Sequence, residues 1–96
     1  MISTHVLDTE RGRPAAGVRV ELYRGDELLA AKETDADGRV RELGEVPEPG
    51  KYRLVFLPLS SPFFTRVEFE VSIDDTGSLH VPLLISSYSC TSYRGS

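Results

Sequence analysis

Apolar and polar side chains alternate with a period of two through much of this chain. Val67, Phe69, Val71 and Ile73 alternate with Arg66, Glu68, Glu70 and Ser72 in the cleanest such run, and that period places the apolar set on one face of a strand. Val18, Val20 and Leu22 alternate in the same way with Arg19, Glu21 and Tyr23, predicting a half-buried strand; Gly25-Asp26 then turns the chain into a hairpin partner over 28–34. Near the start, Ile2-Ser3-Thr4-His5-Val6-Leu7-Asp8 is short and rich in β-branched residues, and it is closed by Asp8, Gly12 and Pro14. It reads as a strand on which His5 shares a face with Ser3 and Leu7.

Two loops follow, one at Asp35-Ala36-Asp37-Gly38-Arg39 and one around Pro47, Pro49 and Gly50, before a strand over 52–57. Residues 59–62 are too few and too proline-bound to make a helix of any length. Asp74-Asp75-Thr76-Gly77 is a turn leading into a strand over 79–85. Pro82 has no N–H for a sheet ladder, so this strand either has one side unpaired there or lies at an edge. Seven to eight short strands with closely spaced turns predict one all-β domain over residues 1–96, an antiparallel β-sandwich.

Composition narrows the function classes. The 96 residues suffice for one core, burying roughly 60 to 65% of the extended chain's surface. A formal net charge of −4 argues against nucleic acid or an anionic membrane as partner, since either calls for a basic surface. Nine of the eleven basic residues are arginine, so anion recognition here is expected to be local. The single Cys90 can close no intrachain disulfide, which suits a reducing compartment. No basic start runs into an apolar stretch, no window has transmembrane length, and Arg94-Gly95-Ser96 is not the peroxisomal tripeptide; the expected location is cytoplasmic.

The candidate chemistry lies in scattered residues. Beyond Ile85 come eleven mostly polar residues; extended, they place Ser92, Arg94 and Ser96 on one face and Thr91, Tyr93 and Gly95 on the other. The Arg94 guanidinium is a rigid fork of donors suited to planar, oxygen-rich ligands, and Ser96 adds a hydroxyl. Only two histidines exist, His5 and His80. Imidazole is the usual general base near neutral pH, although a lone histidine in a strand is more often structural. With Arg39, Arg94 and Ser96 they become a catalytic set if the fold gathers them. Other chemistry is excluded: no nucleophile elbow, P-loop or dinucleotide fingerprint occurs. A calcium loop starting at Asp35 would need Gly and Glu where Val40 and Val46 stand. Two histidines and Cys90 lack metal-ligand spacing, and Cys90 has no base beside it in sequence.

Ser3-Thr4-His5-Val6-Leu7-Asp8, Gly12-Arg13-Pro14-Ala15, Thr34-Asp35-Ala36-Asp37-Gly38-Arg39, His80-Val81-Pro82-Leu83-Leu84 and Tyr93-Arg94-Gly95-Ser96 together resemble the 5-hydroxyisourate hydrolase family, the transthyretin-related proteins of urate breakdown. The resemblance spans essentially the whole chain. Its middle is similar to many transthyretin-like and carboxypeptidase-regulatory-like sandwich modules that are not enzymes and bind small molecules or partners at most; its two ends separate the hydrolase from these. It implies a transthyretin-like sandwich and a homotetramer with a site in a cleft between subunits. Opening of the cyclic amide of 5-hydroxyisourate to 2-oxo-4-hydroxy-4-carboxy-5-ureidoimidazoline is implied, with no metal and no organic cofactor. The residues it points to are His5, His80, Arg39 and Ser96 for catalysis, and His5, Arg39, His80, Tyr93 and Arg94 for holding substrate. Two features depart from the family pattern: residues 57–62 replace its short helix and longer loop, and Phe64-Thr65-Arg66-Val67 stands where Phe-Pro-Glu-Val is usual.

Overall fold

The computed structural model describes residues 1–74 and 77–95. Among these residues ten strands form: β1 (Ile2–Asp8), β2 (Arg13–Pro14), β3 (Arg19–Arg24), β4 (Glu27–Glu33), β5 (Arg39–Gly44), β6 (Gly50–Leu57), β7 (Val67–Ile73), β8 (Leu79–His80), β9 (Leu83–Ile85) and β10 (Cys90–Ser92). Eight have three residues or more, in line with the expected seven to eight, and β2 and β8 are two-residue pairings too short to show a period. Among the described residues no helix forms, so none is long and apolar enough to cross a membrane.

Two sheets make the sandwich. One runs β4-β3-β6-β7, antiparallel throughout. The other is assembled around β1, with β5 and β2 along one side and β8, β9 and then β10 along the other. Pairing of β1 with β8 and β9 is parallel, a departure from the expected all-antiparallel arrangement. The chain crosses the whole sandwich between β1 and β8, so the return strand is free to run in the same sense.

The anticipated strand over 79–85 is broken at Val81-Pro82. Pro82 does not put it at an edge, because β9 lies between β1 and β10; the missing N–H instead interrupts the ladder. The Pro82 carbonyl accepts from Ser92 Oγ at 2.9 Å, and Val81 N donates to the Ser3 carbonyl at 2.9 Å. Strand β5 was not legible from alternation. Two steps along β1, from Ile2 to Thr4, match four along β5, from Gly44 to Val40; this bulge puts the buried Val40 and Leu43 three residues apart.

Alternation decides which side chains fill the core. On β1, Ile2, Thr4, Val6 and Asp8 point inward and are buried, while Ser3, His5 and Leu7 stay half-buried on the outer face. Val20, Leu22, Leu54, Phe56 and Leu83 are fully enclosed, each contributing about 1.5–3 kcal/mol by leaving water. Buried polar groups are satisfied: Thr4 Oγ1 donates to the Val81 carbonyl at 2.6 Å, and Asp8 Oδ1 accepts from the backbone of Glu10 and Arg11, each at 3.0 Å. The short connection after β6 is held without a helix, since Ser61 Oγ accepts from Phe63 N and Phe64 N and donates to the Ser87 carbonyl at 2.7 Å.

Candidate functional site

The outer face of β1 carries the chemistry. Register places Ser3 beside His80 on β8 and His5 beside Arg39 on β5, and an isolated bridge places Gly95 on the far side of His80. Register partners project to the same side of a sheet, so Ser3, His5, Arg39 and His80 share one surface. The two histidines, 75 positions apart in sequence, are brought together by the parallel pairing alone.

Each imidazole has a hydrogen-bond partner among the described residues. Ser3 Oγ and His80 Nδ1 lie 2.8 Å apart, and His5 Nε2 lies 2.8 Å from the backbone carbonyl of Asp37. His80 titrates below the ordinary histidine range. Burial is the main cause, the nearby Arg39 and His5 add to it, and hydrogen bonding with Ser3 opposes it. A neutral imidazole beside a fixed guanidinium can take a proton from water while the guanidinium steadies developing negative charge. Ser3, Arg39, Ser78, Leu79, His80 and Gly95 line a concavity of about 490 Å³ at this point.

The terminal stretch divides between two places. Gly95 N donates to the His80 carbonyl at 2.8 Å, and its lack of a side chain is required there, because a Cβ would sit 2.6 Å from His80 Cδ2. Tyr93 and Arg94 instead line a second cleft of about 310 Å³, against Phe69, Val71 and Ile73 of β7. Period two accounts for Arg94, which falls opposite Gly95, but not for Tyr93, which shares the parity of Gly95 and yet lines the cleft with Arg94, beyond the end of β10 at Ser92. Leu79 lies on the wall of both hollows. Within the single chain, then, His5, His80 and Arg39 are gathered, whereas Tyr93 and Arg94 are not. Ser96 lies outside the described residues. Among the described residues no cluster of three or more His, Cys, Asp or Glu could hold a metal ion.

Ser3 and the Asp37 carbonyl were not singled out as site groups from sequence, and Gly95 entered only as part of the Tyr93 to Ser96 ending. The parity that puts Ser3 on the face of His5 was a usable signal for the first. Nothing in the composition marks a backbone carbonyl as a histidine's partner.

Comparison with known proteins bears on the family and the fold. The profile of the HIUase/Transthyretin family matches residues 2–95. The 5-hydroxyisourate hydrolase of Caulobacter vibrioides is 44% identical, over 99% of this chain and 97% of that protein. The solved structure of Klebsiella pneumoniae 5-hydroxyisourate hydrolase superposes with a TM-score of 0.89 at 36% identity, covering 99% of this chain and 98% of the other. Sea bream transthyretin, solved in complex with thyroxine, superposes with a TM-score of 0.85 at 24% identity, covering 98% and 93%, a likeness of fold.

Proposed function

The chain belongs to the HIUase/Transthyretin family, and on that premise we propose that it hydrolyses 5-hydroxyisourate through the histidines and arginine of the β1 outer face. The observation that carries this reading is the meeting of His5, His80 and Arg39 on one surface. A carrier has no use for paired imidazoles beside a guanidinium, whereas hydrolysis by activated water uses them as base, relay and charge stabiliser.

Hydrolysis adds water to a ring carbonyl and breaks its C–N bond. His5 takes a proton from the attacking water, the new C–O bond pushes negative charge onto the carbonyl oxygen, and Arg39 offsets that charge. Collapse of the adduct expels the ring nitrogen, and the proton taken up by His5 is relayed through His80 and Ser3 to that nitrogen, which returns both imidazoles to the neutral state. Because both imidazoles sit on the same surface, the two can exchange these roles. Arg94 and Tyr93 hold substrate from the lip beyond Leu79, and the Ser96 hydroxyl completes the network.

A homotetramer is part of the same reading. Leu7 and Leu84, register partners on the outer face, are only half-buried in the single chain, and among the described residues β7 and β10 present unpaired sheet edges. A second copy laid on that face covers the leucines and closes the site against water. Size-exclusion chromatography with light scattering tests it. The free Cys90 suits a cytoplasmic protein of purine breakdown.

The decisive experiment mixes the purified protein with freshly generated 5-hydroxyisourate and follows its ultraviolet decay. Decay well above the spontaneous rate is expected; decay at the spontaneous rate would return the chain to a non-catalytic binding module. Gly95→Ala drives a methyl into the His80 ring and is expected to cost about 10²-fold in kcat, the effect of misplacing a reacting group by an ångström. Its circular dichroism should stay that of the wild type.

Acid sensitivity follows from His80. Its pKa in the folded chain is below 6.5, so folding favours the neutral ring. The stability this gives is present in full above pH 6.5 and is lost as pH falls from there through the lowered folded value. NMR titration of the His80 ring should place its midpoint below 6.5, and urea midpoints should decline over that window. A midpoint above 6.5 would refute the assignment.

A further inference from the structure

A carbonyl oxygen has no proton to give, so the 2.8 Å contact between His5 Nε2 and the Asp37 carbonyl requires the imidazole to donate. In the neutral ring the proton therefore sits on Nε2 and the lone pair on Nδ1. What holds the Asp37 carbonyl in place is the turn between β4 and β5. Gly38 N donates to the Asp35 carbonyl at 2.9 Å; in a trans peptide the C=O points opposite to the N–H, so the Asp37 carbonyl is turned outward. Asp35 Oδ1 accepts from Asp37 N at 2.9 Å and from Arg39 N at 3.0 Å. The same turn is fastened to β1, since Val6 N donates to the Gly38 carbonyl at 2.7 Å.

One carboxylate oxygen thus grips both the residue whose carbonyl meets His5 and the arginine beside it. We infer that Asp35 is a positioning residue that fixes His5 as the Nε2–H tautomer and thereby makes Nδ1 the proton-accepting atom. The Asp35 carboxyl stays below the usual carboxylate range. The Arg39 N–H is the largest cause that lowers it, burial opposes, and Asp37 N–H with the Arg41 and Arg39 charges adds to the lowering. A charged acceptor makes the stronger hydrogen bonds. Asp35 touches no substrate in this account; it acts through Asp37 and Arg39. The catalytic consequence rests on the hydrolase reading above, whereas the tautomer does not.

The test uses the full chain labelled with ¹⁵N-histidine, observed by long-range ¹H–¹⁵N correlation at pH 8. With two histidines in the sequence, His5→Ala assigns the His5 signals by their loss. Wild type is expected to show the proton on His5 Nε2. Asp35→Ala is expected to show mixed tautomers and a kcat lower by about 10- to 100-fold, with KM moving less. Asp35→Asn, which keeps an oxygen acceptor, is expected to recover the tautomer and most of kcat. If Asp35→Ala does not fold, Asp35→Glu, which keeps the charge but displaces the oxygen, is read in its place. A wild-type His5 protonated on Nδ1, or an Asp35→Ala protein with unchanged tautomer and kcat, overturns the inference. The expected tautomer in a protein that leaves 5-hydroxyisourate untouched would sink the hydrolase reading and leave the role of Asp35 standing.

Discussion

Turnover of 5-hydroxyisourate falls by about 10² to 10⁴-fold when either His5 or His80 is replaced by alanine, the usual worth of one general base. The fold is expected to survive both changes. His5 projects from the outer face of β1, away from the core, and alanine there removes one hydrogen bond to a turn carbonyl. At His80 the strand pairing is made by backbone atoms, including the bond from Gly95 N, and these do not depend on the imidazole. Melting temperatures should therefore stay within about 5 °C of wild type. Initial rates from stopped-flow absorbance, corrected for spontaneous decay, measure the effect. If both variants keep more than about a tenth of wild-type kcat, neither ring is the base. The double variant discriminates further: residues acting on one proton path lose little more together than singly.

Gly38→Ala is expected to be the most damaging single methyl in the chain for stability. Gly38 has φ +76°, where L side chains are strained, and an added Cβ would lie 2.5 Å from the Val6 carbonyl oxygen and 2.9 Å from Pro14 Cβ. Neither neighbour can yield cheaply. The Val6 carbonyl is already bonded to Ala15 N at 2.9 Å, and Val6 N is bonded to Gly38 itself. Backbone strain costs about 1–3 kcal/mol, and prising the turn from β1 brings the expected loss to about 3–5 kcal/mol. For a domain of this size that corresponds to a fall of roughly 12 to 40 °C in melting temperature. Gly12→Ala is the control, since Gly12 has φ +68° but nothing within 4 Å of its would-be Cβ; it should cost only about 1 kcal/mol. Thermal melts by circular dichroism compare the two, and equal losses would show that the contact with β1 is not what makes Gly38 necessary.

These two predictions come from different depths of the sequence. The Thr34 to Arg39 segment announced a turn, with Asp side chains to bond local N–H groups and a glycine for positive φ, and the turn is there. That the turn lies against Val6, and delivers a carbonyl to His5, was not readable, because a turn's composition says nothing about what it packs upon. The parity of the tail was legible in part: Gly95 was expected opposite in direction to Arg94, and it pairs with His80 while Arg94 lines the cleft by β7, but Tyr93, expected on the face of Gly95, lines that cleft as well. Which of those faces met the histidines required knowing which side of β9 the tail lies on.

Strand alternation, the absence of helix signals and the turn chemistry belong to the sequence, because the pleat of a strand and the φ of a turn are set by neighbours within a few residues. The all-β class and the outward face shared by Ser3, His5 and Leu7 followed from that local information. Tertiary structure decided the rest: the parallel seating of His80 beside Ser3, the bulge that hides β5, and the division of Arg39 and Arg94 between two hollows. Register between strands some 75 residues apart is set by the whole core closing at once, in which Ile2, Val6, Leu83 and Ile85 must be buried together. No short stretch of chain holds that condition.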